Sequence, residues 1–438
     1  MKKIIAAVLF LAFCAALPAP VLADKATEQS WLINSAVPES SGDEESFSFL
    51  YFGDIQITQS AAADYAAWAE LARGALGRSP GAAFALQGGD IVESGIDRAQ
   101  WESFFSQAGP ALGGMPFFPT NGNHESNFLG GKPELYLELF ELPENGPPGF
   151  TEEFYSFDYA NTHVIVLNSW VFSGEQPLTE DDYSAIDEWI ADDLARSDAT
   201  WKIAVTHIPV YAVHSDVTSN EVRARWAPVF ERYGLDVCFV GHQHVYSRLM
   251  PLTDGVEDNE DGVTYIMGNS GLKFYDSADE SLAERTIYNV PTYQLAGVDG
   301  DILTVQTFDA DGDELDFVSL RPRGSKTLTR GGFVEDFLPD AELLGYGDGN
   351  LGLGDAITNE QIAILLRRDA ASPEDGRRAA DDSAYDGNAD AGGASEWACD
   401  AWEWAVRYGI FPDAAPRAVA TRAGAARAYN AYNASPGY

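Results

Sequence analysis

The sequence predicts an α/β fold of stacked layers, and three observations carry that expectation. Short apolar, β-branched runs of the length of buried strands recur along the chain. Between them, at 61–77, 181–196 and 221–233, lie Ala- and Glu-rich stretches with apolar residues at helical spacing. The strand-like runs end repeatedly in Asp, Asn or His, and alternating strands and helices gather such residues at one crevice outside the strands' carboxyl ends.

Composition bounds what that crevice can serve. With 438 residues, 45% hydrophobic and 12% aromatic, the chain can bury a sizeable core in two or three domains. Its formal charge of −41 excludes a basic nucleic-acid scaffold or an anionic lipid surface as partner, while leaving carboxylates that can hold divalent cations.

In chain order, Lys2 and Lys3 precede the apolar run Ile4 to Leu17, and "VLAD" carries small or apolar residues at the spacing a signal peptidase accepts. Residues 1–23 therefore read as a signal peptide cut after Ala23, and 24–45 as an N-terminal linker; the mature protein would be secreted, with no membrane span. Cys14 lies in the signal, and Cys238 and Cys399 stand far apart, so no disulfide framework is expected.

Five strand ends then deliver the chemistry. "FSFLYFGDIQ" ends with Asp54 and Gln56, "AAFALQGGD" with Asp90, and "MPFFPTNGNHE" with Asn123 and His124. "WKIAVTHIP" supplies His207, and "LDVCFVGHQH" supplies His242 and His244. Carboxylate and amide oxygens mixed with imidazole nitrogens suit divalent transition metals (Fe, Mn, Zn or Co), whereas an all-oxygen set would suit Mg or Ca. The donors outnumber what one ion uses, and two ions sharing a carboxylate would employ them all.

In this order, "GDIQ", "GGDIVE", "GNHE", "THIP" and "GHQH" resemble the five motif blocks of the calcineurin-like metallophosphoesterases. "RARWAPVFERYGLDVCFVGHQHVYSRLMP" and "TYIMGNSGLKFY" are similar to the purple acid phosphatase branch in particular. The resemblance spans roughly residues 46 to 320 and implies a four-layer αββα two-sheet sandwich over 46–322. It implies that Asp54 and His244 bind a first metal, that Asp90 bridges, and that Asn123, His207 and His242 bind a second. His124 would contact substrate and assist the leaving group, and the implied reaction is phosphoric ester hydrolysis by a metal-bridging hydroxide.

Two departures stand out. Purple acid phosphatases carry a Tyr three residues after the bridging Asp, and here that place is Glu93, so the purple chromophore is not expected. Where related enzymes often have Asp-x-His, this chain has Gln56, a weaker ligand that binds, holds a water or sits behind the ligands.

Other candidates read more plainly as structural. His163 reads as a strand-edge residue, Asn168 as a loop cap, Arg248 as half of an ion pair and Tyr246 as packing; His214 stands on a loop over the crevice.

After residue 322 the composition changes. "RPRGSKTLTRGG" opens a linker over 323–338, and residues 339–438 resemble divergent surface-layer homology repeats through "GYGDGNLGLGDAITNEQIAILLRR", "EWACDAWEWAVRYGIF" and "ATRAGAARAYNAY". Trp397, Trp402, Ala405 and Val406 fit one apolar helix face, and 372–394 reads as a flexible insert. This resemblance implies retention at a bacterial cell wall through acidic polysaccharide, with Arg422 the basic residue of the motif; the plain alternative is a small helical appendage. Two functions follow: a secreted dinuclear phosphoesterase, or a non-catalytic wall-associated protein that recognises phosphorylated polymers.

Overall fold

A computed structural model of the chain describes residues 35–40, 46–56, 61–126, 131–175, 178–323, 357–370 and 398–411, with further single residues and short stretches between 415 and 432. The expected signal peptide, nearly all of the 323–338 linker, the insert at 372–394, Trp397 and Arg422 lie outside the described residues.

Parallel strands β1 (Ser46–Phe52), β2 (Ala85–Gln87) and β3 (Phe117–Pro119) are joined through helices α1 (Ala61–Arg78) and α2 (Arg98–Leu112). A short helix α3 (Glu134–Leu139) leads to the hairpin β4 (Tyr155–Tyr159) and β5 (Thr162–Leu167), which opens a second sheet. Helix α4 (Glu180–Arg196) connects to β6 (Trp201–Thr206), and α5 (Val217–Tyr233) to β7 (Val237–Val240); β5, β6 and β7 run parallel. Then come β8 (Tyr246–Leu249), a two-stranded ribbon of β9 (Leu252–Thr253) and β10 (Val256–Glu257), β11 (Thr264–Met267) and β12 (Ala283–Ile287). The chain returns to the first sheet through β13 (Thr292–Asp299), β14 (Ile302–Asp309) and β15 (Glu314–Leu320). The sheet orders are β15-β14-β13-β1-β2-β3 and β12-β8-β11-β7-β6-β5-β4.

Residue alternation shows how the layers stack. Phe49 and Tyr51 point inward, their rings 6.1 and 4.6 Å from Phe239 of the opposite sheet, while Phe52 turns outward to Trp68 of α1 at 5.3 Å. On β5, Val164 and Val166 join this inter-sheet core, whereas Ile165 and Leu167 pack with Ile186 of α4 and Trp226 and Phe230 of α5. Two mixed sheets therefore lie face to face with helices outside each, the four layers expected. Each fully buried large side chain contributes roughly 1.5–3 kcal/mol, enough collectively to hold strained loops at the strand ends.

The expected helices form, the first starting at Ala61 as expected and the other two starting earlier. Helix α5 begins at Val217 rather than near 221, because the Asp216 carboxylate accepts from the Thr218 and Ser219 amides and caps it there. Among the described residues Cys238 is a free, buried thiol and no helix is long and apolar enough to cross a membrane.

Helices also form at Asn359–Ala370 and Cys399–Arg407. Their apolar residues, among them Ile362, Leu366, Trp402 and Ala405, belong to one buried cluster with Trp226, Phe230 and Tyr233 of α5. The apolar face expected for the second helix is corrected at one position: Ala398, Ala401, Trp402 and Ala405 are buried, but Val406, one step further round, is 46% exposed.

Candidate metal centre

The five motif residues sets sit just beyond the carboxyl ends of β1, β2, β3, β6 and β7, and the parallel arrangement of these strands within each sheet brings them to one edge of the sandwich. Three candidate ligands, Asp90, His242 and His244, hold left-handed backbone with φ of 56°, 74° and 46°. Such conformations are costly without glycine and persist where the surroundings impose them. Glycines supply the room: a Cβ on Gly122 would lie 2.1 Å from an Asp90 carboxylate oxygen, and one on Gly241 would lie 2.2 Å from Asp54.

Four donors converge at one point. Around His207 Nε2 stand Asn123 Oδ1 at 2.9 Å, His242 Nδ1 at 3.2 Å and Asp90 Oδ2 at 3.3 Å. Each ring is braced from behind, His207 Nδ1 by the Gly88 carbonyl at 2.8 Å and His242 Nε2 by the Asp216 carboxylate at 2.9 Å. With protons kept on those bracing nitrogens, both rings would turn lone pairs to the same spot once a bound cation displaced the second proton of His207, the arrangement that orients metal-ligating histidines. Asp54 and His244 adjoin this group. Asp54 accepts the His242 amide through both oxygens at 2.9 Å, and His244 Nδ1, buried and without a hydrogen-bond partner, lies 3.6 Å from Asp54 Oδ2.

The electrostatics describe a pocket short of positive charge. Burial pushes the Asp54 carboxyl up to about 8, against the pull of His207 and with a push from Asp90. Burial acts on Asp90 too, yet His207 and His124 hold it well below the usual carboxylate range. The His207 ring, despite burial, is drawn up to about 10 by Asp90. Burial, with Lys273 nearby, lowers His244 to about 3 against the pull of Asp90, keeping it neutral. Buried carboxylates in surplus, a neutral imidazole with a bare nitrogen and a four-donor cluster are what divalent transition metals take. The residues fit a metal centre; Asp90, facing both groups, is placed to be shared.

His124 stands beside this cluster. Its amide donates to Asp90 Oδ1 at 3.0 Å, its Nδ1 lies 2.7 Å from the Glu93 carbonyl, and its Nε2 stops 3.8 Å from Asp90 Oδ2. Glu93 is exposed. Gln56 is buried beside Asp54, but its amide oxygen accepts from the Lys273 ammonium at 2.8 Å, an occupied donor where a ligand was considered.

The remaining candidates resolve individually. His163 is clamped between Asp158 and Asp193 at 2.7 and 2.8 Å, away from the centre. Asn168 caps the turn after β5 and donates to Glu153. Arg248 pairs with Asp316 and Glu284, and Tyr246 adds a hydrogen bond to the same Asp316. His214 packs edge-on against Tyr275, whose ring also meets His244, at centroid distances of 4.9 and 5.1 Å.

Sequence reasoning passed over three residues. Asp216 signals only as a helix cap, 26 positions before the ring it braces. Glu125, quoted within "GNHE" without a role, accepts the amides of Asp90, Ile91 and Gly122 at 2.8, 2.8 and 2.6 Å and ties two ligand loops together. Lys273, quoted within "TYIMGNSGLKFY", likewise received no role.

Comparison with known proteins agrees with this geometry. Residues 47–246 match the family model for calcineurin-like phosphoesterases. Purple acid phosphatase 18 of Arabidopsis thaliana is 26% identical over 191 residues, 42% of each chain. A phosphoenolpyruvate phosphatase of Allium cepa is 25% identical over 212 residues, 44% of this chain and 42% of its own. The chain thus spans about two-fifths of the length of the curated relatives it matches. A purple acid phosphatase from yellow lupin seeds shares the fold, with a TM-score of 0.52 at 18% identity over 65% of this chain and 55% of its own. The five strand ends, the donors they gather and the match over residues 47–246 make that stretch similar to the calcineurin-like phosphoesterases, with purple acid phosphatases among the relatives it resembles.

Proposed function

We propose that this chain is a secreted phosphoric ester hydrolase working at two divalent transition-metal ions. Asp54 and His244 would hold the first, Asn123, His207 and His242 the second, with Asp90 shared. The observation that carries this reading is the convergence of Asp90, Asn123, His207 and His242 on one point beside Asp54 and His244. Bound there, the ions supply a water of lowered pKa and neutralise phosphoryl oxygens. The protein's part is to hold that geometry through the Glu125 clamp, and to present His124 where a leaving group needs a proton. An anionic ester then meets cationic character in an otherwise acidic protein.

The test is metal analysis together with hydrolysis of aryl phosphates by the wild type and by Asp90→Ala. About two ions per chain are expected, with both metal and activity lost in the variant. Full activity in Asp90→Ala, or in a thoroughly stripped preparation, would overturn the reading.

Location belongs to the same proposal. Residues 1–23 direct export, and residues 339–438 hold the protein at a bacterial wall by binding acidic polysaccharide, Arg422 making the anion contact. Because described helices of this segment share a core with α5, the sedimentation test with purified walls uses the whole chain. Wild type should sediment with intact walls but not with walls stripped of polysaccharide, and Arg422→Ala should weaken the association. Equal sedimentation with both walls, or none, removes anchoring and leaves the phosphoesterase.

A further inference from the structure

The two halves of the centre are built unequally, and the difference lies in a loop within "TYIMGNSGLKFY", outside the five ligand-bearing blocks. Residues 268–275, following β11, strap themselves to the Asp54–His244 half. Asn269 pairs with Asp54 in an isolated β-bridge, the Ser270 amide donates to the Asp54 carbonyl at 2.9 Å, and the Tyr275 amide donates to the His244 carbonyl at 3.1 Å. The Asn269 side chain closes the turn onto the Lys273 carbonyl at 2.9 Å. The loop so held sends the Lys273 ammonium to Gln56 Oε1 at 2.8 Å, two residues from Asp54.

That contact has two effects, both on the same half. It occupies the oxygen with which Gln56 would otherwise ligate, leaving Asp54, His244 and the shared Asp90 as protein donors. It also fixes a unit positive charge beside the position a dication would take. The other half has Asn123, His207 and His242 with the same Asp90, and an additional carboxylate, Asp216, behind His242. Donor count and local charge therefore point the same way.

We propose that the centre fills in order: the Asn123–His207–His242 half takes its ion tightly, and Lys273 makes the Asp54–His244 half a low-affinity site. This rests on the phosphoesterase reading and assigns Lys273 a function within it, that of setting how readily the second ion is held. The enzyme would then pass through a singly loaded state whenever metal is scarce.

The test titrates the metal-stripped full-length chain with Co²⁺ alone, by calorimetry and by the visible ligand-field spectrum, without substrate. Two steps are expected, separated by roughly tenfold or more in affinity. Asn123→Ala should abolish the tighter step and Asp54→Asn the weaker. Lys273→Met should tighten the weaker step roughly tenfold and leave the tighter one in place, while Lys273→Arg, which keeps the charge, should behave as wild type. Two steps of equal affinity, loss of the weaker step in Asn123→Ala, or a Lys273→Met variant indistinguishable from Lys273→Arg would overturn the proposal. A protein that hydrolyses esters yet shows equal steps overturns this inference alone; one that binds no Co²⁺ overturns the metal centre with it.

Discussion

Replacing Asp216 with Asn should weaken metal binding without weakening the fold, because the two oxygens of this carboxylate do different work. Oδ1 caps α5, accepting from Thr218 and Ser219 at 2.7 and 3.1 Å, while Oδ2 braces His242 Nε2 at 2.9 Å. In Asp216→Asn the remaining oxygen can keep the cap, but the amide then turns N–H groups toward an imidazole nitrogen that itself carries a proton. His242 must rotate or move that proton to Nδ1, the nitrogen it turns toward Asn123 and His207. Loss of such a brace costs about 10–100-fold in metal affinity, or about 1.4–2.8 kcal/mol. Asp216→Ala should show the same metal defect plus a stability loss of about 1 kcal/mol from the missing cap. The assay pairs Co²⁺ titration with denaturant midpoints of the metal-free proteins. Unchanged affinity in Asp216→Asn, or an affinity loss explained entirely by a matching drop in stability, would refute the reasoning.

Three more outcomes are expected. His124→Ala should keep its metal while turnover falls by something like 10²–10⁴-fold, the defect shrinking for esters with good leaving groups; metal loss in proportion to activity would make His124 structural. Iron-loaded protein should show no strong visible charge-transfer band, since the exposed Glu93 stands where a phenolate would be; a purple sample whose colour vanishes in Tyr275→Phe would show that Tyr275 reaches the ion instead. Despite burial, His163 is pushed up to about 9 by Asp158 and Asp193, above the ordinary value of about 6.5. Its stabilising effect is therefore complete below about pH 6.5 and is lost as pH rises through about 9. Discounted for the largely exposed Asp158 carboxylate, that is about 1–2 kcal/mol, read as a drop in urea midpoint between pH 6 and 10 that His163→Leu should lack.

The candidate ligands were legible because each sits at the end of an apolar run, and the strand pattern alone places such ends together. What the pattern could not carry was pairing between distant segments. Asp216 meets His242 only after α5 carries the chain back to β7, and Lys273 meets Gln56 across 217 positions. His163 looked like an edge residue because its strand reads as uniformly apolar; its partner Asp158 is set opposite by the β4–β5 register, which depends on the turn between them. The Val406 error has a simpler cause. The buried arc of this helix runs from Trp404 through Ala401 and Ala405 to Trp402, and Val406 falls about 40° beyond Trp402, off its edge however apolar it is.

The apolar cluster that joins the C-terminal helices to α5 has a mechanical side. Force applied to those helices would pass into Trp226 and Phe230 and so into the layer packed against the strands that precede His207 and His242. A module that merely dangled would isolate the active edge from such loads. These helices share their footing with α5, so a cut that frees them would leave apolar surface behind on the sandwich.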